Sequence, residues 1–112
     1  HGSGESKQAS AKESMSYKFS KVIVNVAGTM GTRYLMSTFT VVGANADFRN
    51  RVEERKDELV DLASTTLGSK TIAELEKPGG RNQVKAELIA IFNAALGEGA
   101  VKDIHITEFA IQ

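Results

Sequence analysis

The sequence predicts an α+β domain in which a three-stranded, mostly antiparallel sheet carries its helices on one face, in the order β-β-α-α-α-β. Three observations predict it. Two early segments, 17–26 and 34–42, show the period-2 apolar pattern of strands. Between 45 and 96 the apolar residues recur at helical spacing. The last stretch, VKDIHITEFAIQ (101–112), returns to β-branched and aromatic composition. Three strands need a covering layer to be stable, and the helices supply one.

At 112 residues, of which 41% are hydrophobic, the chain suits one domain with one core. Its 14 basic side chains balance 14 acidic ones, which argues against duplex nucleic acid as the main partner, since phosphate neutralisation selects clustered Lys and Arg. With no cysteine, disulfides, zinc knuckles and thiol catalysis are excluded. No apolar run approaches the roughly 20 residues that span a bilayer, and no signal-peptide core is visible. Residues 1–4, HGSG, read as a cloning or cleavage scar, so native sequence is expected to precede residue 5. Residues 5–16, ESKQASAKESMS, cannot bury enough surface to offset their ordering entropy and read as a flexible lead-in to a domain spanning 17–112.

In the first strand, YKFSKVIVNV, Tyr17 and Phe19 share one parity while Val22, Val24 and Val26 share the other. Such an inversion requires either a bulge, with Ser20-Lys21 its place, or a change of buried face along the strand. The loop AGTMGTR leads into YLMSTFTVV, where Leu35, Phe39 and Val41 lie on one face and Met36, Thr38 and Thr40 on the other; the pair reads as an antiparallel hairpin. Asn45 is placed to cap a long helix to about Leu67, with Phe48, Val52, Leu59, Leu62, Ala63 and Leu67 forming its apolar stripe. The opposite side, from Arg49 to Asp61, is a charge run: a solvated helix face, or a charged contact surface. Thr71-Ile-Ala-Glu74 matches a capping box that starts a short helix, which Pro78-Gly79-Gly80 ends. A third helix covers about 81–96, with Val84, Leu88, Ile91, Phe92 and Ala95 inward. In the closing strand Ile104 and Ile106 share one parity and Phe109 and Ile111 the other, the same inversion as in the first strand. These two strands are therefore expected to be neighbours that bend or exchange faces together, with Phe109 and Ile111 meeting the start of the first strand or a neighbouring subunit.

The search for chemistry finds no catalytic, cofactor or metal site. His105 stands alternate with Asp103 and Thr107, as on the wetter face of a strand, and has no cysteine or second native histidine to join it. No serine sits in a G-x-S-x-G elbow. The Gly28-Thr-Met-Gly-Thr32 loop lacks the Gly-Lys-Ser/Thr ending of a P-loop and joins two strands, where phosphate loops lead into a helix. The carboxylate pairs Glu53-Glu54 and Asp57-Glu58 lie on a helix expected to be solvated, without the apolar surroundings that raise a carboxyl pKa.

Several short motifs recur in a telling order. They are Gly31-Thr-Arg33-Tyr34-Leu35, Leu59-Val60-Asp61, Leu67-Gly-Ser-Lys70-Thr71, Gly80, Val84-Lys-Ala-Glu87-Leu88, Phe92-Asn93 and the ending V-K-D-I-H-I-T-E-F-A-I-Q. In order and spacing, over about 17–112, the set resembles the periplasmic domain of the FliL family of flagellar basal-body proteins. Two positions depart from the family pattern: Val60 stands where an arginine is expected, and His105-Ile106 where an aromatic pair is usual. The resemblance implies a stomatin/prohibitin-like fold, no enzymatic activity, no cofactor and a single N-terminal helix in the bacterial inner membrane with this domain in the periplasm. It also implies ring-like homo-oligomers around stator proteins of the MotA/MotB type, which assist motor torque and motility. Arg33, Asp61, Phe109 and Ile111 are the candidate interface residues; for Arg33 the alternative is a local salt bridge, and for Asp61 and Asn93 it is helix packing or capping. The competing reading is a small ligand-binding or catalytic domain with 28–33 as its loop, or a stomatin-like membrane scaffold outside the flagellum.

Overall fold

The computed structural model describes residues 15–112; the expected scar and nearly all of the lead-in lie outside the described residues. Strands β1 (Ser16–Asn25) and β2 (Tyr34–Gly43) form the hairpin, and β3 (Val101–Ile111) closes the sheet. Between β2 and β3 come four helices, α1 (Phe48–Glu54), α2 (Lys56–Gly68), α3 (Ile72–Glu76) and α4 (Gly80–Leu96). The sheet is antiparallel throughout with the order β1-β2-β3. The first strand starts one residue earlier than its pattern indicates, because Ser16 already pairs with Val42 and Gly43 donates its N–H to the Met15 carbonyl at 2.7 Å.

The expectation that β1 and β3 are neighbours is wrong: β2 lies between them. Their shared parity inversion has a different cause. In β1, Phe19 pairs with Phe39 and Val22 with Ser37, so one extra residue bulges at Ser20-Lys21, where Lys21 takes left-handed backbone (φ 52°). In β3, one extra residue sits between Ile106 and Glu108 and another between Val101 and Asp103. Each bulge restores the inward parity. Tyr17, Phe19 and Val22 therefore all point at the helices, as do Val101, Ile104, Ile106, Phe109 and Ile111. Phe109 pairs across from Ser37 and Ile111 from Leu35, near the end of β1 and not its start.

The long helix predicted for 45–67 is two helices, and Asn45 is not its side-chain cap. The first begins at Phe48, whose N–H bonds to the Asn45 carbonyl in a turn, and the chain breaks at Arg55 (φ −124°). The apolar stripe has a gap from Val52 to Leu59, so nothing apolar holds the intervening turn. The break instead sends the Arg55 guanidinium to the carbonyl of Ala95, while Arg51 reaches that of Leu96. Two cations thus meet the orphan carbonyls and negative dipole end of α4. Gly43 admits this junction, since a Cβ there would stand 2.1 Å from Cγ of buried Phe48.

The core is centred on stacked rings from three elements. Phe19 and Phe39 lie 5.3 Å apart and Phe19 and Phe92 5.7 Å, which locks α4 across β1 and β2. The capping box at Thr71 and Glu74 is formed in both directions. The Gly-Ser-Lys-Thr junction ties three parts together: the Lys70 carbonyl accepts from Ala27 N–H, Thr71 bridges Ala27, and Lys70 Nζ pairs with Glu87 at 2.6 Å. Gly80 lets α4 start against α3, for a Cβ there would be 2.5 Å from the Glu74 carbonyl. Among the described residues, no helix is long and apolar enough to cross a membrane.

Candidate interaction surface

All four helices pack on one side of the sheet, and no described element covers the other side. Register places its outward residues in rows across the three strands. At the hairpin end these are Asn25–Tyr34–Gln112 and Ile23–Met36–Ala110; further along, Thr38–Glu108 joined by Lys21; then Lys18–Thr40–His105 and Ser16–Val42–Asp103. Polarity therefore changes along the strands. The hairpin end is apolar, with Ile23 61% and Tyr34 47% exposed, and the end where β1 begins is charged.

The middle row is a polar node that fixes both bulges. Thr38, itself buried, accepts a hydrogen bond from Lys21 N–H at 2.9 Å and donates one to the Glu108 carboxylate at 2.5 Å. Ser37 donates to the Glu108 carbonyl and Thr107 to that of Thr38. Two side chains of the central strand thus partner the bulged backbones, Thr38 at β1 and Ser37 at β3.

The hairpin loop is closed upon itself. Thr29 Oγ1 donates to the Val26 carbonyl, Thr32 Oγ1 to that of Thr29, and Gly28, Met30 and Gly31 adopt positive φ. Two threonine hydroxyls and the Thr32 N–H are spent within the turn, and what the loop presents is Met30, 97% exposed. Both edges of the sheet are bulged, with a lysine at Lys21 on one and at Lys102 on the other, devices that discourage strand addition.

On the helix side the charge run is not balanced outward. Arg51 and Arg55 turn inward to α4, Arg55 also holding Glu58 at 2.8 Å. Glu53, Glu54, Asp57 and Asp61 are exposed and have no ion-pair partner among the described residues. Further along, Thr65 on the outward face of α2 and Ser69 just past its end are uncharged. The outward face of α4 carries Ala86, Ala90 and Ala94, also uncharged.

The residues singled out from sequence separate into different places. Arg33 is exposed at the end of the loop, its Nε donating to the Gln112 carbonyl at 3.2 Å. Asp61 is exposed on α2. Phe109 and Ile111 are half-buried against the core, the Phe109 ring lying 5.1 Å beneath the Arg81 guanidinium. Asn93 accepts from Val101 N–H at 2.7 Å and so fixes where β3 begins. His105 is exposed, 3.9 Å from Asp103, and among the described residues no three His, Asp or Glu side chains converge as a metal set. Asp103, Glu74 and Glu87 have carboxyl pKa values below the ordinary range, through the Ile104 N–H and Lys85, through Thr71, and through Lys70 respectively. Each of these serves the fold. Val60, at the divergent family position, lines an open groove of about 490 Å³ between the β1 edge and α2. The apolar row Ile23–Met36–Ala110 escaped the sequence reading, although Ile23 carried a signal: an isoleucine at the polar parity of a valine-rich strand.

Comparison with known proteins bears on the whole folded unit. The family model of the flagellar basal body-associated protein FliL matches residues 16–112. The flagellar protein FliL of Aquifex aeolicus (strain VF5) is 34% identical over 90 residues, covering 80% of this chain and 56% of that protein. The chain thus spans little more than half the length of that relative. With β1 through β3 all inside the matched region, the chain belongs to the FliL family of flagellar basal body-associated proteins.

Proposed function

We propose that this domain is a non-catalytic assembly module of the flagellar motor. In this reading it stands in the periplasm, tethered to the inner membrane by a helix preceding this chain. Copies pack side by side around the stator, of the MotA/MotB type, and support torque under load. The observation that carries the reading is that the family match runs through every strand and helix of the domain. The chemistry of the surface agrees with a contact role: the hairpin loop spends its two threonine hydroxyls internally, while apolar side chains stand exposed on the sheet. A common tether raises the effective concentration of neighbouring domains, so contacts that are weak in solution suffice to hold an assembly.

The test is crosslinking of the full-length protein in native membranes with a lysine-reactive reagent, alongside motor torque in cells lacking the gene. The expected results are a ladder of multimers that includes stator subunits, and torque that falls at high load. A strictly monomeric pattern, or torque unchanged under load, would refute the proposal.

A further inference from the structure

We infer that the outward sheet face is a self-docking surface whose occupant is the helix layer of the next copy, stacked in the same orientation. This rests on the reading that copies of the domain assemble side by side. The β1 strip of the sheet and α2 beneath it each carry a gradient along the strand direction, and the two run the same way. On the sheet, β1 presents Lys18 and Lys21 near its start and Ile23 towards the hairpin. Beneath it, Lys56, Val60 and Ser64 of α2 line a groove with residues 17–23 of β1, and Gly68 lies against Val24 and Asn25. Asp57 and Asp61 of α2 are therefore level with Lys18 and Lys21, and Thr65 is level with Ile23. When one copy's helix layer is laid on the next copy's sheet without reversal, the α2 carboxylates meet Lys18 and Lys21, the latter 4.0 Å from Glu108 of its own sheet, and an uncharged turn meets Ile23.

The other occupants fit less well. A face-to-face pair that keeps the apolar halves together lays β1 over the other copy's β3 and leaves Asp57 and Asp61 without cations. Residues 5–14 contain no apolar side chain larger than alanine, so they offer Ile23 and Met36 nothing to bury against. Same-orientation stacking also puts every Ser16 on one side of the assembly, as a common membrane tether requires. It is heterologous, so a small rotation per step closes a ring. Ten-residue strands at about 3.3 Å per residue, three of them about 4.8 Å apart, give a face of about 480 Å². Two such faces bury roughly 950 Å², below the ~1,200 Å² of stable complexes, so the contact is weak unless tethered.

The test pairs Ile23→Cys with Thr65→Cys in full-length protein, oxidised in native membranes, with the lysine-reactive crosslinker as a separate report on assembly. Both positions are exposed, so thermal unfolding should be unchanged. The expected result is a disulfide ladder that needs both cysteines, falls about tenfold with Lys18→Glu, and returns when Asp57→Lys is added. Crosslinker multimers without the disulfide ladder would overturn the stacking and leave side-by-side assembly standing; no multimers by either route would overturn both. Dimers from Ile23→Cys alone would show a face-to-face pair, and disulfides from Ile23→Cys to a stator subunit would show another occupant. Either result overturns the inference.

Discussion

Replacing Lys70 by methionine should loosen the junction that joins the hairpin, α2 and α4. The lysine side chain is only 13% exposed and its ammonium lies 2.6 Å from the Glu87 carboxylate, which is 36% exposed. A hydrogen bond to a charged group contributes about 1.5–3 kcal/mol, and an exposed ion pair under about 1; with Glu87 partly hydrated, about 1–2 kcal/mol is expected here. Methionine keeps most of the aliphatic stem in place, so the loss is of charge and not of packing. For a domain of this size that corresponds to a fall in Tm of roughly 5–15 °C at neutral pH, read by thermal unfolding. The pH dependence supplies the sharper check. Lys70 holds the Glu87 carboxyl below its ordinary pKa, so its contribution is complete above the unfolded value of about 4.3 and is lost as pH falls through the folded one. The gap between wild type and Lys70→Met should therefore close below about pH 4. Equal melting at pH 7, or a gap undiminished at pH 3, would refute the assignment of Lys70 to this pair.

Three further outcomes follow from the same geometry. Thr38→Val should destabilise by about 1–3 kcal/mol, because it leaves the Lys21 N–H and the Glu108 carboxylate without their partner; denaturant titration measures it, and exchange of the Lys21 amide should quicken. Gly43→Ala should cost at least 2 kcal/mol by the order of magnitude of overpacked cores, since the new Cβ meets the buried Phe48 ring; an unchanged denaturation midpoint would contradict the close approach. Asn93→Ala should cost about 1–2 kcal/mol by stripping the acceptor from Val101 N–H, with hydrogen exchange rising at the start of β3 while the centre of β2 stays protected.

Much of the fold is legible in the residues, and the failures have local causes. Period-2 and helical spacing locate every strand and the helices that cover them, and the Thr71–Glu74 capping box reads directly from its four residues. The parity inversions were visible too, but a side-chain pattern cannot say which strand lies beside which. Both inversions flank the same residue of β2, and that convergence exists only in the pairing. The break at Arg55 was hidden because its cause is long-range: a guanidinium reaching carbonyls 40 residues ahead in the chain. The motifs Gly80, Lys70-Thr71 and Asn93 stand out in the sequence, and the structure gives each a structural reason. The exposed apolar face was legible only in part. Ile23 sits at the wrong parity for a core residue, whereas Met36 and Ala110 become its neighbours only through register.

That a FliL-family domain acts by assembling around the stator is tested most directly by counting copies at working motors. Full-length protein carrying a fluorescent label, at native expression, should photobleach in many steps at each motor that also contains stator units. The count should collapse when Lys18→Glu is introduced and recover with Asp57→Lys added. One or two steps per motor, with torque at high load preserved, would contradict the account.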